Sequence, residues 1–315
     1  MVRKGLLKIL VPTAILIAFA SITIVPSVFA QEDTTKESIT LSPAVSKPTV
    51  NVSEKTEGKL TVINDGLKDY RFLLYARPFS VKSESYDPDY TEITDRTEAY
   101  QWIKFDKTDL NLAAGDRVSI GYTITVPKNA SAGGHYAVLF AETQPDEPSS
   151  TQVARKKRVG SLVYITVNGE IKQAGSLESW RAPFWQTQSP IKSDIRIKNS
   201  GNVHFQVDSK VIYSTVFNKK RFELNQQNLI LPGTVRRIET PMQNSPYFGV
   251  FKVSGEANFL NKTETLPEKW VILVPPTILF GLLTFCSIVL FGYIVRRKAA
   301  SSKKIKSKKS GGTKK

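Results

Sequence analysis

Two histidines, one cysteine and 28 carboxylates are the groups in this 315-residue chain with acid–base, nucleophilic or metal chemistry to offer. Such groups act in company. A nucleophile needs a base within hydrogen-bond reach, and a zinc hydrolase needs two histidines one helical turn apart beside a glutamate. His135 and His204 lie in different halves of the chain, and neither carries a His-Glu-x-x-His or Gly-x-Ser-x-Gly pattern. His135 precedes Tyr136 on an alternating run and reads as a surface or edge residue. Cys286 sits in an uncharged run, which leaves no disulfide and no cysteine zinc site elsewhere. Glycoside hydrolysis would need two carboxylates across a cleft, and nothing in the spacing supplies that pair. The reading is a protein that is not an enzyme, with no cofactor and no metal.

Two charged stretches remain. Segment 83–100 holds Tyr86, Asp87, Asp89, Tyr90, Glu92, Asp95, Glu98 and Tyr100. Carboxylates at this density would suit Ca²⁺, but the spacing fits no EF-hand loop and the glycine of its sharp turn is missing. Tyrosine is enriched at interfaces, so Tyr86, Tyr90 and Tyr100 are candidates for contact with a protein or a wall polymer. A solvated insertion between strands is the plainer reading. Arg155, Lys156, Lys157 and Arg158 follow a polar stretch and read as one arm of a long hairpin. They would attract anionic wall polymer or lipid headgroups, or simply discourage edge-to-edge pairing.

The elements that carry these groups are ordered around one apolar run, 271–295, with no charge in it. Its length suffices for a helix across a hydrocarbon core of about 30 Å. Trp270 and Tyr293 supply interfacial rings at its ends, and Arg296, Arg297 and Lys298 open a basic tail that stays on the cytoplasmic side. That tail, 296–315, is expected to lack structure and to contact anionic lipid. At the other end, Arg3 and Lys4 precede an apolar run and a Val-x-Ala site at Val28 and Ala30, the three parts of a secretory signal over 1–30. The net charge of +16 therefore belongs to targeting. The first thirty residues carry +3 and the last twenty +10, leaving +3 for the body and no case for a nucleic-acid partner.

Between signal and span the pattern is short alternating runs broken by turns. Val118, Ile120, Tyr122, Ile124 and Val126 alternate up to Pro127; Tyr136, Val138 and Phe140 alternate after Gly133-Gly134. No amphipathic helix competes, so the fold class is all-β, two tandem immunoglobulin-like β-sandwich domains over 31–169 and 170–269, plus the transmembrane helix at 270–295. Leu60, Val62 and Asn64-Asp65-Gly66 return as Ile195, Ile197 and Asn199-Ser200-Gly201. Leu112-Ala113-Ala114-Gly115 returns as Leu231-Pro232-Gly233. Duplication and turns shared by all sandwiches both explain this order. The Asn and Gly suit positive-φ positions in tight connections.

The order of features resembles a known family. The runs "LSPAV", "LTVINDG" and "WIKFDKTDLNLAAGDRVSIGYTITVPKNASAGGHYAVLF", then "SDIRIKNSGN", an anchor and a basic tail are similar to the bacterial WxL-interacting proteins of the cell surface. The likeness rests on Trp102, Pro127, Gly133, Gly134 and the Asn-x-Gly turns. It implies one peptidoglycan-binding and one partner-binding immunoglobulin-like domain ahead of a membrane helix. The expected function is a membrane-anchored surface scaffold that contacts cell-wall polymer or another surface protein, its body extracellular and its tail cytoplasmic. The alternative is an exported chaperone that offers a sheet edge to client strands.

Overall fold

Side chains on a strand alternate between two faces, so a period of two decides where each strand can sit. The computed structural model describes residues 38–144, 156–216 and 220–310, and of 298–310 only the course of the backbone. Segment 1–30 and Arg155 lie outside the described residues. The first half contains β1 (Ile39–Ser42), β2 (Val45–Ser46), β3 (Thr49–Val50), β4 (Lys55–Asn64), β5 (Tyr70–Pro78), β6 (Ser80–Val81), β7 (Pro88–Asp89), β8 (Ile103–Phe105), β9 (Asp109–Leu112), β10 (Arg117–Thr125), β11 (Gly133–Gln144) and β12 (Arg158–Val167). One sheet runs β1-β4-β10-β8; the other runs β2-β12-β11-β5-β9, with β3 also on β12. The chain crosses between sheets early, from antiparallel pairing of β1 on β4 to parallel pairing of β2 and β3 on β12. Leu60, Val62, Phe72, Leu74, Ile124, Leu139 and Ile165 fill the space between.

The second half contains β13 (Gly175–Arg181), β14 (Trp185–Gln186), β15 (Asp194–Asn199), β16 (Phe205–Thr215), β17 (Arg221–Ile230), β18 (Val235–Glu239), β19 (Gly249–Phe259) and β20 (Lys262–Leu273). Its sheets run β13-β15-β18 and β14-β20-β19-β16-β17. They enclose Ile195, Ile197, Val211, Tyr213, Phe251, Val253, Val271 and Leu273. The chain is thus two tandem β-sandwiches followed by one apolar helix, the expected class.

The repeated Asn turns are built alike, though not as expected. The Asn64 side-chain amide donates to the carbonyls of Lys68 (2.8 Å), Leu112 (3.2 Å) and Ala113 (3.0 Å), and its Oδ1 accepts from Gly66 N. Asn199 donates to Val203 and Ile230 carbonyls, both at 2.9 Å, and accepts from Gly201 N. Each Asn backbone carbonyl accepts one further N–H, from Gly115 and from Gly233. Both Asn are fully buried, their amides satisfied by carbonyls of turns and strand ends. The positive φ falls instead on the partner turns, at Gly115 (80°) and Gly233 (73°).

The apolar run is divided where one helix was expected. Trp270, Val271, Ile272 and Leu273 close β20, and α1 (Pro276–Ser310) begins only after Val274-Pro275. Val271 and Leu273 are fully buried in the second core, which is why the apolar pattern continues upstream of the helix. Trp270 points from the strand to the outer sheet face, with the Lys252 ammonium 4.8 Å from its ring centre, and is no end-ring of the helix. Within α1, Pro276–Arg297 is long and apolar enough to cross a membrane. Tyr293, Arg296 and Arg297 lie on it and are exposed. The backbone stays helical through Lys298 to Ser310, against the expected unstructured tail. A helix already nucleated extends through Lys- and Ala-containing sequence without a second nucleation cost.

Candidate functional site

The Tyr-rich acidic insertion becomes a clasp between the two sandwiches. After β5 the chain forms the small hairpin β6–β7, its base fixed by Asp89, which accepts from Thr91 N and Thr91 Oγ1 at 2.9 and 2.6 Å. Its tip reaches across to the second sandwich. The Glu84 carboxylate takes both prongs of the Arg196 guanidinium, and its carbonyl accepts from Arg237 N at 2.7 Å. Hydrogen bonding from Arg196 holds the Glu84 carboxyl below its ordinary range. Tyr86 Oη accepts from Leu231 N (2.8 Å) and shares a hydrogen with Thr234 Oγ1 (2.6 Å). The Arg236 guanidinium lies over the Tyr86 ring, 4.3 Å from its centre. Burial pushes the Tyr86 phenol up and the Arg236 guanidinium down. Tyr86, a candidate for an external partner, therefore spends its ring and hydroxyl inside the molecule.

Beneath the clasp is an apolar plug of Phe79, Tyr136, Val138, Phe140, Tyr164 and Leu231. β11 supplies three of these and is buried continuously from Gly133 to Ala141. Ala137, Leu139 and Ala141 face the first core, while Tyr136, Val138 and Phe140 face the joint. A strand covered on both faces reads as a nearly continuous apolar run. His204 closes the plug. Its backbone N donates to Tyr136 Oη at 3.1 Å, and that hydroxyl also lies 3.3 Å from His204 Nδ1. Burial, with Lys47 nearby, pushes the His204 imidazole down to about 4. Burial also raises the Tyr136 phenol, and takes Tyr164 up to about 12. His135 is no edge residue. It is fully buried on the core face against Trp102, its ring bonded to Ser131 O at 2.8 Å, and burial lowers its pKa.

Tyr90, Lys156 and Arg158 gather on the outer face of β5, β11 and β12. The Arg158 guanidinium lies 4.4 Å from the Phe140 ring centre and 5.6 Å from that of Tyr90, so the fold joins two stretches read separately. Tyr75 Oη donates to Glu142 at 2.6 Å, Lys156 reaches the same carboxylate at 3.6 Å, and Arg77 covers the Tyr75 ring at 5.5 Å. The Tyr75 hydrogen bond, then those of Gln144 and Lys156, keep Glu142 below the usual carboxylate range. Lys157 precedes β12 and its N donates to Thr143 Oγ1. Tyr100 packs on the first core, away from this face. Tyr75 and Arg77 escaped the sequence reading because a strand residue's outward neighbours come from other strands. Among the described residues no three of His, Cys, Asp and Glu come together.

A second surface is an edge. β17 pairs β16 along its whole length and has no strand on its other side among the described residues. Arg236 covers one of its carbonyls, that of Leu229, at 2.7 Å.

The class so defined is a two-sandwich β protein with an apolar C-terminal helix. No family model matches the chain, and no curated protein matches it. Among solved structures it is similar to the YadV chaperone, at 10% identity and a TM-score of 0.41 over 72% of this chain and 99% of that one. It is similar to the CsuC–CsuE chaperone–tip adhesion subunit pre-assembly complex of Acinetobacter baumannii pili, at 12% identity and 0.38 over 75% and 99%. A PapD-like domain of human CEP192 matches at 14% identity and 0.32 over 48% and 97%. These likenesses are distant, and the architecture stands on the chain's own strands.

Proposed function

We propose that this is a non-catalytic cell-surface scaffold of the WxL-interacting kind. Segment 1–30 serves export, the two sandwiches stand outside the cell, α1 anchors them, and the basic tail lies inside. The first sandwich binds anionic cell-wall polymer, or a surface protein of like charge, through the outer face of β5, β11 and β12. One observation carries this reading: Arg77 and Arg158 lie over the partly exposed rings of Tyr75 and Tyr90 on one sheet face, with Lys156 beside them on Glu142. Guanidinium groups on aromatic planes suit carboxylate- and phosphate-bearing ligands. Full-length chain in detergent should sediment with purified wall sacculi, and Arg77→Ala with Arg158→Ala should lower retention at least about tenfold. Retention that ignores both substitutions, or none from the parent, overturns the reading.

The uncovered edge of β17 favours a second reading, an assembly factor that lends this edge to client strands. Capture of one unfolded surface protein, without sacculus binding, would select it.

A further inference from the structure

The end of the second sandwich from which α1 leaves carries two loops without a charged residue, 182–191 and 240–248. Each exposes a pair of aromatic rings: Phe184 and Trp185 at 59% and 49%, Tyr247 and Phe248 at 58% and 64%. Four large rings in water at one end of a domain call for a partner. The hydrogen bonds show where this end lies. β14 pairs in parallel with the last two residues of β20, with Trp185 opposite Ile272. Ile272 N donates to Phe184 O at 2.6 Å, and Val274 N to Gln186 O at 3.0 Å. On the other side Gly249 is opposite Leu273, and the Tyr247 hydroxyl bonds Thr277 in the first turn of α1. The loops are also tied together, through Ser189 Oγ and Ser245 Oγ at 2.7 Å and a bridge between Ile191 and Met242.

From this geometry we infer that Phe184, Trp185, Tyr247 and Phe248 are a membrane seat, inserted among the lipid headgroups of the bilayer that α1 crosses. The inference rests on the spanning reading of α1. The 22 residues of Pro276–Arg297, at about 1.5 Å each, measure about 33 Å. A hydrocarbon core of about 30 Å uses all of that length, which leaves Thr277 at its outer boundary. Only Val274 and Pro275 separate β20 from α1, a slack of about 7 Å. The headgroup layer is about as deep, since the whole bilayer exceeds its core by about 10–15 Å over two sides. The four rings therefore reach that layer, where aromatic side chains are favoured and charges are not needed. The seat and α1 together hold the sandwich by three points of chain, which restricts its tilt.

The test uses full-length chain in phosphatidylcholine vesicles with bromines at shallow or deep acyl positions. Trp185 is the seat's reporter, since α1 has no tryptophan, Trp102 and Trp180 are buried, and Trp270 lies on the outer sheet face under Lys252 and is controlled for by its own substitution. Shallow bromolipid should quench the emission more than deep bromolipid, and Trp185→Phe should lose the quenching while Trp270→Phe keeps it. Chain that floats with the vesicles and resists alkaline extraction, yet shows no quenching, overturns the seat and leaves the span standing. Chain that alkali strips from the vesicles overturns the span and the seat with it.

Discussion

Acid should loosen the joint between the sandwiches, and His204 should be the cause. Its ring is largely buried, with Lys47 nearby and Nδ1 3.3 Å from the Tyr136 hydroxyl, so a charge on that imidazole would sit in a desolvated site. The folded value of about 4 lies below the ordinary 6.5. Between those values the unfolded or opened chain binds more protons, so stability rises with pH there and is lost as pH falls. Worked from the two values, the loss is about 0.8 kcal/mol at pH 6, about 2 at pH 5 and about 3 at pH 4. At pH 4 that multiplies the open-to-closed ratio by more than about a hundred. His135 titrates in the same direction, so the parent alone is not diagnostic. His204→Gln keeps a hydrogen-bonding group beside Tyr136 and cannot titrate. Hydrogen exchange of the Gly134 and Leu231 amides, which bond across the joint to Asn202 O and Tyr86 Oη, followed from pH 7 to 4 and corrected for intrinsic rates, should show the parent opening and the variant spared most of that loss. Parallel pH profiles in parent and variant would refute the reasoning.

Tyr86→Phe keeps the ring under Arg236 but leaves Leu231 N without its acceptor, so the joint should lose about 1–3 kcal/mol. Faster tryptic cleavage at Lys172, between β12 and β13, would report it, with each sandwich's own melting unchanged. Asn199→Ala takes the side-chain donor from the carbonyls of Val203 and Ile230 and leaves Gly201 N on Ala174 O alone, and should cost about 2–4 kcal/mol in denaturant titration. Asn199→Asp should cost more at neutral pH, because a carboxylate would face the same two carbonyls.

What the sequence shows well is what depends on neighbours along the chain. The alternation at Val118, Ile120 and Ile124 and the paired Asn turns are of this kind, and both are where the period of two and the turn residues put them. Two features depend on neighbours across space. β11 alternates in sequence, yet Tyr136, Val138 and Phe140 cover the joint rather than the core, because a second sandwich takes the face that a lone sheet would leave to water. Trp270 and Val271 join the apolar run of α1 in hydropathy but belong to β20, and only the opposite strand, β19, separates the two. The Pro275-Pro276 pair was the available signal, since two residues without N–H groups end a strand and start a helix.

Tyr86 shows how far the clasp depends on the domain it holds. Its φ is +66°, a region that costs a non-glycine residue roughly 1 kcal/mol or more. Glycine would relieve that cost at the hairpin tip. It would also remove the hydroxyl that Leu231 and Thr234 share and the ring beneath Arg236, all on the second sandwich. The strained tip is therefore sustained by contacts the first sandwich cannot make alone. If the sandwiches part, the turn loses what holds it, so the clasp should relax as the joint opens and re-form only when both surfaces are present. That couples the insertion to the angle between the sandwiches, and through the base of its hairpin to Tyr90 and Arg158 on the proposed binding face.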